Sequence, residues 1–554
     1  FVEANRGVND LYNDPQEKYI DPETGIVTYR RTYDANTGFD YQQGIKWSSS
    51  SGDVNNDATY RRLFYQTQLN YAKNFAGKHD VTAMGLFNRN EFATGSVLPF
   101  YREDWVFRTT YGYDNRYLIE YNGAYNGSER FAAGNRFAFF SSGGLGWNIS
   151  NEAFMKEVDF INNLKLRASY GEIGDDNVNG RYLYLTQWSY GGQARLGTVG
   201  EQAEQSPYVW YTESAVGNPD ISWEKVKKSN IGLDYGFFNN SISGSVDFFR
   251  DERVDVLISG NQRAIPEYYG TTAPVANLGT VQNQGYEIVL NLNHYFGENL
   301  RLWADLNMTH AQNKVIEGDN PELLPEYQKN NNKAIGQAYS YIDNGFYNTW
   351  DELYGTTPFN TDDSQKIPGG YQIVDFNADG IIDGFDNVPY AFAGAPQNTY
   401  NATVGFDWKG LSGFVQFFGA NNVTRQVVFN SLGNQNNIVY DEGSYWSKDN
   451  TNADAPVPRW VTTTNGAANG SRFFYDGSYV RLKNAEIAYT FPVESKILTS
   501  FGFESLRLFL NGNNLYIWTK MPDDRESNFA GTGWASQGAY PTVKRFNFGL
   551  NITF

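Results

Sequence analysis

The chain of 554 residues contains no cysteine and only three histidines. The absence of cysteine excludes a disulfide scaffold, a cysteine-based zinc site and a thiol nucleophile. No apolar run reaches the roughly 18 residues that a membrane-spanning helix needs. Basic residues are also few, with 44 Lys and Arg against 62 Asp and Glu and a net charge of −18. This acidity argues against a nucleic-acid partner.

Aromatic residues and glycine are present in excess. Phe, Tyr and Trp make up 17% of the chain, which also contains 55 glycines. Tyr and Phe favour strands, and glycine favours turns. This composition is similar along the whole sequence, so we expect one large repetitive architecture and not several separate domains.

Several segments alternate strictly between apolar and polar residues. From Tyr286 to Met308, apolar residues occupy even positions of two runs that a short turn at 296–299 separates. The same alternation recurs at 231–248 and at 402–408. A period of two is that of a strand with one apolar and one polar face, so these runs predict hairpins.

The connections between the predicted strands alternate in length. Short turns fall near 74–80, 113–116, 238–241, 295–299 and 409–412, and long polar stretches near 172–222, 255–284, 313–398, 421–477 and 516–542. Tight turns at one end and long loops at the other are typical of outer-membrane barrels. A soluble β-sandwich also alternates, but its strands are usually shorter. We therefore predict an all-β fold, a transmembrane antiparallel β-barrel with short periplasmic turns and long extracellular loops.

The last segment carries the most specific local signal. Its apolar residues fall on one side and end on a terminal aromatic residue: Phe546, Phe548, Leu550, Ile552 and Phe554. Terminal aromatics of this kind mark bacterial outer-membrane barrels, whose insertion machinery reads the final strand. We expect these residues to form the barrel-assembly signal, the alternative being the last strand of a sandwich. Counting back from them gives about 15 or 16 spanning segments.

A series of ordered motifs resembles the strand signatures of SusC-like TonB-dependent outer-membrane transporters. They are YVRLKNAEIAYTFP at 479–492, WEK at 223–225 with NIGLD at 230–234, NLG at 277–279 with NQGYE at 283–287, LRASYG at 166–171, GQAYS at 336–340 and YPT at 540–542. These matches span nearly the whole chain from about residue 60. The chain departs from the family at 521–526, where MPDDRE stands in place of a GYDPE motif.

The resemblance implies a 22-stranded barrel that an N-terminal plug occludes. It also implies energy coupling through the TonB complex and a SusD-like surface lipoprotein that clamps the substrate. On this basis residues 1–554 are expected to form part of the transporter β-barrel domain, with about the last 15 or 16 strands. The plug, the first strands and the TonB-contacting segment would lie outside this sequence. The implied location is the outer membrane of a Gram-negative bacterium, in contact with its lipids.

One acidic segment is similar to a calcium-binding loop. Its candidate ligands, at loop positions 1, 3, 5, 7, 9 and 12, are Asp375, Asn377, Asp379, the carbonyl of Ile381, Asp383 and Asp386. Oxygen ligands at this spacing suit Ca²⁺, and Asp in place of Glu at position 12 predicts a weak site. The alternative is an Asp- and Asn-rich turn that binds no ion.

Aromatic residues of the predicted outer loops are candidates for contact with a substrate or partner. They are Trp350, Tyr445, Trp446, Trp460 and Trp534. Aromatic rings can stack on sugar faces or pack on a peptide. For each of them the alternative is packing within the loops or docking of the lipoprotein.

No motif for catalysis is present. The sequence has no GxSxG elbow, no HExxH and no phosphate-binding glycine loop. We therefore expect no enzymatic activity and no organic cofactor. The predicted function is TonB-energised import of an oligosaccharide or oligopeptide with a SusD-like lipoprotein. A passive porin or surface adhesin on a barrel is one alternative, and a secreted all-β glycan-binding protein is another.

Overall fold

The computed structural model describes most of the chain. It covers residues 2–4, 16–20, 23–25, 27–31, 52–54, 60–94, 98–178, 180–193, 209–358, 366–426, 445–453, 457, 470–495, 498, 500, 502–521 and 542–554. Among these residues no helix has both the length and the apolar character needed to cross a membrane.

The described elements are almost all strands. In chain order they are β1 Val2–Ala4, β2 Gln16–Ile20, β3 Val27–Arg31, β4 Gly52–Val54, β5 Tyr60–Phe75, β6 His79–Thr94, β7 Phe100–Tyr113, β8 Tyr117–Ser128, β9 Phe137–Asn148, β10 Ile161–Asp175, β11 Gln187–Gln193, β12 Val209–Ala215, β13 Glu224–Phe237, β14 Ile242–Ile258, β15 Ala276–Phe296, β16 Leu300–Glu317, β17 Ala338–Tyr341, β18 Asp343–Phe346, β19 Tyr371–Ile373, β20 Asn387–Ala391, β21 Asn398–Trp408, β22 Leu411–Asn421, β23 Thr424–Gln426, β24 Phe474–Asp476, β25 Tyr479–Thr490, β26 Ser505–Thr519 and β27 Arg545–Thr553. A short α-helix, α1, spans Trp350–Tyr354. Turns of 3-10 helix lie at Ile149–Asn151, Ala153–Met155, Gly260–Gln262, Glu267–Tyr269, Gly384–Asp386 and Ser471–Phe473.

Fifteen strands form one large sheet. Their order is β27-β26-β25-β22-β21-β16-β15-β14-β13-β10-β9-β8-β7-β6-β5, so neighbours in the sheet follow one another along the chain. The skipped strands lie in the long connections, where they form two-stranded sheets of their own. The predicted all-β class and the predicted count of about 15 or 16 long strands are confirmed.

The chain divides into two compact units. The first comprises Phe1–Leu69, Gly85–Val106 and Tyr125–Glu129, and the second comprises Asn70–Met84, Phe107–Ala124 and Arg130–Phe554. Within the first, Arg61 and Glu91 form an ion pair at 2.7 Å. The second contains the strands from β9 onward and all the candidate site residues that the structure describes.

The register of the large sheet collects apolar side chains on one face. Ile288 of β15 pairs with Val246 on one side and with Met308 on the other. Continued across the sheet, this row runs Leu166, Leu233, Val246, Ile288, Met308, Tyr400, Gly419, Val480 and Trp518. Large apolar residues on this face stay uncovered, with Ile231 at 59% and Phe248 at 60% exposure. An apolar face of this extent needs a nonaqueous neighbour.

The height of this apolar face matches a bilayer. Outward apolar residues of β15 run from Tyr286 to Phe296. Ten steps of about 3.4 Å span about 34 Å along the strand, and a tilt of about 45° reduces this to about 24 Å of bilayer height. The strands are therefore long enough to span the hydrocarbon layer.

The predicted short turns are present. Asp114 and Asn115 have φ of 51° and 52° between β7 and β8, and Lys409 and Gly410 have φ of 47° and 87° between β21 and β22. Two successive positive φ values are typical of the tight turns that match the twist of paired strands. These turns lie at the end of the sheet opposite the long connections.

Candidate functional site

The connection between β16 and β21 forms a small folded body. Within it, β17 pairs with β20 and β18 pairs with β19, both antiparallel. The helix α1 begins after Thr349, whose hydroxyl accepts the N–H of Glu352 at 3.1 Å. We call the described parts of residues 338–391 and 445–475 the loop platform.

The loop platform has its own apolar core. Residues from both long connections contribute buried side chains to it: Phe346, Tyr371, Ile373, Ile382 and Trp446. Tyr341, Ala453, Val457 and Tyr475 pack around them. Because this core contains side chains from two connections, displacement of either connection would expose apolar side chains of the other.

An ion pair joins the two connections at this core. Arg472 donates from Nε and Nη2 to the carboxylate of Asp343, each bond being 2.7 Å long. The guanidinium also lies over the rings of Phe346 at 4.2 Å and Tyr371 at 5.0 Å. Burial raises the pKa of the Tyr371 hydroxyl, which therefore stays neutral. Bidentate pairing and ring stacking together fix the position of Arg472.

Trp446 is buried in the loop platform. It is only 7% exposed, and its indole nitrogen donates to Oδ1 of Asn348 at 3.1 Å. Its ring lies against Gly369, where an added Cβ would come within 2.3 Å of it. Trp446 is therefore a core residue of the loop platform, in line with the alternative of packing within the loops.

The other aromatic candidates divide into three groups. Trp350 is 52% exposed and its ring lies 6.0 Å from that of Tyr354, itself 78% exposed. Tyr445 is half-buried. Trp460 and Trp534 lie outside the described residues. An exposed aromatic pair thus stands on the surface of the loop platform.

The first half of the calcium-like loop is a series of side-chain-to-backbone bonds. Oδ2 of Asp375 accepts the N–H of Gly380 at 2.9 Å, and Oδ1 of Asn377 accepts that of Asp379 at 3.1 Å. Oδ1 of Asp379 accepts the N–H of Ile381 at 2.9 Å. Oδ1 of Asp375 is buried with no hydrogen-bond partner among the described residues.

The second half is anchored by Asp386, which is fully buried. Its carboxylate accepts the N–H of Phe376 at 2.6 Å and that of Asp383 at 2.8 Å. Oδ1 of Asp383 accepts the N–H of Phe385 at 2.7 Å. Over the described parts of the chain, no group of three or more His, Asp or Glu side chains is arranged to hold a metal ion. Calcium binding stays a prediction, and the same carboxylates already stabilise the loop.

The predicted assembly signal lies on β27, an edge strand of the large sheet. Phe546 and Phe548 are each 72% exposed, Leu550 is 53% exposed and Phe554 is 81% exposed, while Ile552 is partly buried. Phe548 pairs with Leu510 of β26. These side chains continue the apolar face, and their role in assembly stays a prediction.

The polar face of the sheet holds a bridging arginine. Arg167 of β10 bonds Asp234 of β13 through Nε at 3.1 Å and Asp247 of β14 through Nη1 at 2.7 Å. Gly232 lies between them in register, with Arg167 on one side and Asp247 on the other. A Cβ at Gly232 would come within 2.6 Å of the guanidinium carbon and of the Asp247 carboxylate. Because Gly232 has no side chain, the side chain of Arg167 can pass over β13. One arginine thus links β10, β13 and β14.

Sequence reasoning did not find the Arg472 and Asp343 pair. The two residues lie 129 positions apart, in separate loops. No local periodicity or motif connects them. The Arg167 group was equally hidden, although its strand positions follow once the register is known.

The chain is similar to known receptors over nearly its whole length. No family model matches it. It is 28% identical to TonB-dependent receptor P3 of Formosa agariphila over 563 residues, which cover 95% of this chain and 52% of that protein. It is 25% identical to TonB-dependent receptor SusC of Bacteroides thetaiotaomicron, over 93% of this chain and 52% of that protein. The chain thus spans about half the length of the curated relatives it matches.

Solved structures share its fold. The RagAB peptide transporter matches with a TM-score of 0.65 at 22% identity, over 89% of this chain and 56% of that one. The RagAB peptide importer in its open-open state gives 0.65 at 21% identity, over 89% of this chain and 55% of that one. The large sheet is therefore that of a transmembrane β-barrel. The resemblance to SusC-like TonB-dependent outer-membrane transporters is confirmed for nearly the whole chain, and with it the location in the outer membrane of a Gram-negative bacterium.

Proposed function

We propose that this chain forms part of an active outer-membrane importer. The protein would take up an oligomeric nutrient, a glycan or a peptide, with energy supplied through the TonB complex. Its curated relatives, named TonB-dependent receptors and including SusC, support this assignment. They are not enzymes, which fits the predicted lack of catalysis.

We further propose that residues 1–554 lie in the barrel domain of that importer. The order of the large sheet, with β5 and β27 at its edges, supports this placement. Over the described residues both edges of the sheet are free, and a sheet with two free edges in a membrane needs further strands to close it. In this proposal those strands and a plug belong to other parts of the protein.

The observation that carries the proposal is the loop platform. A loop that merely connects two strands needs no apolar core, yet this one has a core, a half-buried ion pair and an exposed aromatic pair. Such a preorganised surface is suited to docking another protein, because little ordering entropy is lost on binding. Trp350 and Tyr354 are exposed aromatic side chains, and Trp and Tyr are the residue types that are enriched among the anchors of protein interfaces. We assign the platform as the docking surface of a SusD-like lipoprotein.

We propose Ca²⁺ as a structural ion of the loop at 375–386. The unpartnered Oδ1 of Asp375 and the partly exposed Asp379 support an ion at the first half of the loop. Because Asp386 is held by backbone N–H groups, it would serve the loop and not the ion. Weak affinity follows from the loss of the position-12 ligand.

A capture experiment tests the docking proposal. The tagged protein is extracted from native outer membranes in mild detergent, and co-purifying lipoproteins are identified by mass spectrometry. We expect one SusD-like lipoprotein with the wild type, less with Trp350→Ala, and an unchanged amount with the control Tyr190→Ala, which alters a 60% exposed tyrosine of another loop. Absence of a lipoprotein from the wild-type sample would overturn the proposal.

Energy coupling is tested separately. Growth on the nutrient is compared in cells with and without a functional TonB. We expect loss of growth without TonB, whereas uptake that persists would favour the passive porin. Recovery of the protein from the medium without detergent would favour the secreted glycan-binding alternative.

A further inference from the structure

The long connection between β10 and β13 carries an aromatic hairpin. Its strands β11 and β12 pair antiparallel, with Tyr190 opposite Tyr211 and Trp188 opposite Glu213. Opposite residues of an antiparallel pair lie on the same face, and so do residues two positions apart. Trp188, Tyr190 and Tyr211 therefore share one face, and they are 62%, 60% and 59% exposed. We call the side chains of Trp188, Tyr190, Val209, Tyr211 and Glu213 the aromatic face.

Contacts within the hairpin fix the positions of its rings. The ring centroids of Tyr190 and Tyr211 lie 6.0 Å apart, with an interplanar angle of 70°. Such an edge-to-face contact is a favoured arrangement of two aromatic rings. Trp210 lies on the opposite face, where its ring packs on Gly191, and a Cβ added there would come within 2.7 Å of that ring. The flat ring surfaces of Trp188 and of the two tyrosines stay exposed on the aromatic face.

The hairpin is attached to a folded base. A buried apolar cluster of this base consists of Phe131, Phe140, Val178, Ile221 and Trp223. Leu183 and Tyr184, which precede β11, pack against this cluster. The N–H of Asn218 donates to the carbonyl of Leu183 at 2.9 Å, and the N–H of Gly217 donates to Oγ1 of Thr186 at 3.2 Å. These bonds close the hairpin where it leaves the base. The aromatic face is therefore ordered before a ligand arrives, which lowers the entropy cost of binding.

The size and charge of the aromatic face limit what it can bind. Six steps of about 3.4 Å along β11 give it a length of about 20 Å, and two strands about 4.8 Å apart make it about 10 Å wide. The resulting area of about 200 Å² is well below the roughly 800 Å² that each partner contributes to a stable protein interface. Strands β11 and β12 contain no Lys or Arg, and Glu213 is their one acidic residue. A narrow, uncharged ligand therefore fits the face better than a folded protein or an anion.

The chemistry of the aromatic face favours a sugar chain over a peptide. An extended peptide binds a sheet mainly through main-chain hydrogen bonds at a strand edge, whereas the face of a hairpin presents side chains. A sugar ring has apolar C–H surfaces that pack on flat aromatic rings, and it carries hydroxyl groups at its rim. These hydroxyls can donate to the carboxylate of Glu213, and such charge-assisted hydrogen bonds are stronger than neutral ones.

We propose that the aromatic face binds a neutral glycan, whose sugar rings stack on Trp188 and on the two tyrosines. This inference rests on the proposed function, because it names the class of the imported nutrient. It also assigns different ligands to two surfaces of the protein. The aromatic face contacts the nutrient, and the loop platform contacts the lipoprotein.

The test measures glycan binding by the purified full-length protein without the lipoprotein. The protein is kept in a detergent without a sugar headgroup, because such a headgroup would compete for the site. Isothermal calorimetry gives the Kd for maltohexaose, cellohexaose, laminarihexaose, mannohexaose and xylohexaose, and for a neutral peptide of alternating Ser and Gly. Trp188→Ala removes the indole of the aromatic face. The matched control, Trp350→Ala, removes an exposed indole from the loop platform. Heat-modifiable mobility on gels verifies that each variant forms a barrel.

We expect the wild type and Trp350→Ala to bind at least one hexasaccharide with the same Kd. Trp188→Ala should raise that Kd at least about 10-fold, because a stacked ring is lost. If Trp188→Ala does not assemble, Tyr190→Ala must show the same weakening while it still captures the lipoprotein.

Binding of none of the hexasaccharides by the wild type would overturn the proposal, and so would equal Kd values for Trp188→Ala and Trp350→Ala. Binding of the peptide alone would overturn the assignment of a glycan. In each of these cases capture of the lipoprotein and the dependence of growth on TonB test the proposed function separately.

Discussion

Arg472 and Asp343 form a bidentate ion pair that joins the two long connections of the loop platform. Both bonds are 2.7 Å long, and the side chains are only 19% and 10% exposed. At these exposures little water can reach a charge that loses its partner, so the pair is costly to break. It holds the buried Trp446 and the exposed Trp350 on one folded body.

We predict that Arg472→Ala opens the loop platform. Leaving Asp343 unpaired should cost about 3 kcal/mol, which corresponds to roughly 100-fold faster cleavage when proteolysis follows the opened population. Limited proteolysis of intact outer membranes measures the rate. The control Lys520→Ala removes an exposed pair with Asp476 and should leave the rate nearly unchanged. Similar rates for Arg472→Ala and the control would show that the pair does not hold the platform.

The second prediction concerns Gly232. Its replacement by alanine places a methyl group within 2.6 Å of Arg167 and Asp247 and should cost about 1 to 3 kcal/mol through overpacking. The temperature at which the barrel unfolds in detergent, read from gel mobility, should fall. Gly85→Ala is the control, since no atom lies within 4 Å of an added Cβ there. An unchanged unfolding temperature for Gly232→Ala would contradict the bridging role of Arg167.

The third prediction concerns the assembly signal. Phe548 lies on the apolar face of β27 and is 72% exposed. The substitution Phe548→Asp places a charge on this face and should reduce the amount of assembled protein in the outer membrane. Asn551→Asp adds the same charge on the opposite face of that strand and serves as the control. Quantitative immunoblots of membrane fractions give the yields. Equal yields of Phe548→Asp and Asn551→Asp would mean that the apolar face of β27 does not direct assembly.

The fourth prediction concerns calcium. Isothermal calorimetry should detect weak binding to the wild type and none to Asp379→Ala. Glu322→Ala removes an acidic residue from the same connection but outside the loop, and it should bind as the wild type does. Equal heats for the wild type and Asp379→Ala would exclude the proposed site.

The large sheet could be predicted from the sequence because the alternation of apolar and polar residues shows which face of a strand each side chain occupies. Ile288 and Glu287 are neighbours in the chain, but one is apolar and the other charged, and they lie on opposite faces of β15. The loop platform was hidden, since its contacts depend on residues far apart, such as Gly369 and Trp446. For the same reason the sequence did not decide whether Trp446 packs within the loops or contacts a substrate or partner. In the loop at 375–386, the spacing of oxygens was recognisable, but the sequence could not show that Asp386 binds backbone N–H groups.

The most direct test of the barrel uses the absence of cysteine from this chain. Glu287→Cys and Ile288→Cys each introduce one thiol, and both positions are exposed in the structure. Labelling in intact outer membranes with a small water-soluble thiol reagent compares the two, with the unsubstituted protein as background. A membrane-spanning barrel predicts labelling of Glu287→Cys and protection of Ile288→Cys by lipid, whereas equal labelling at both positions would contradict it.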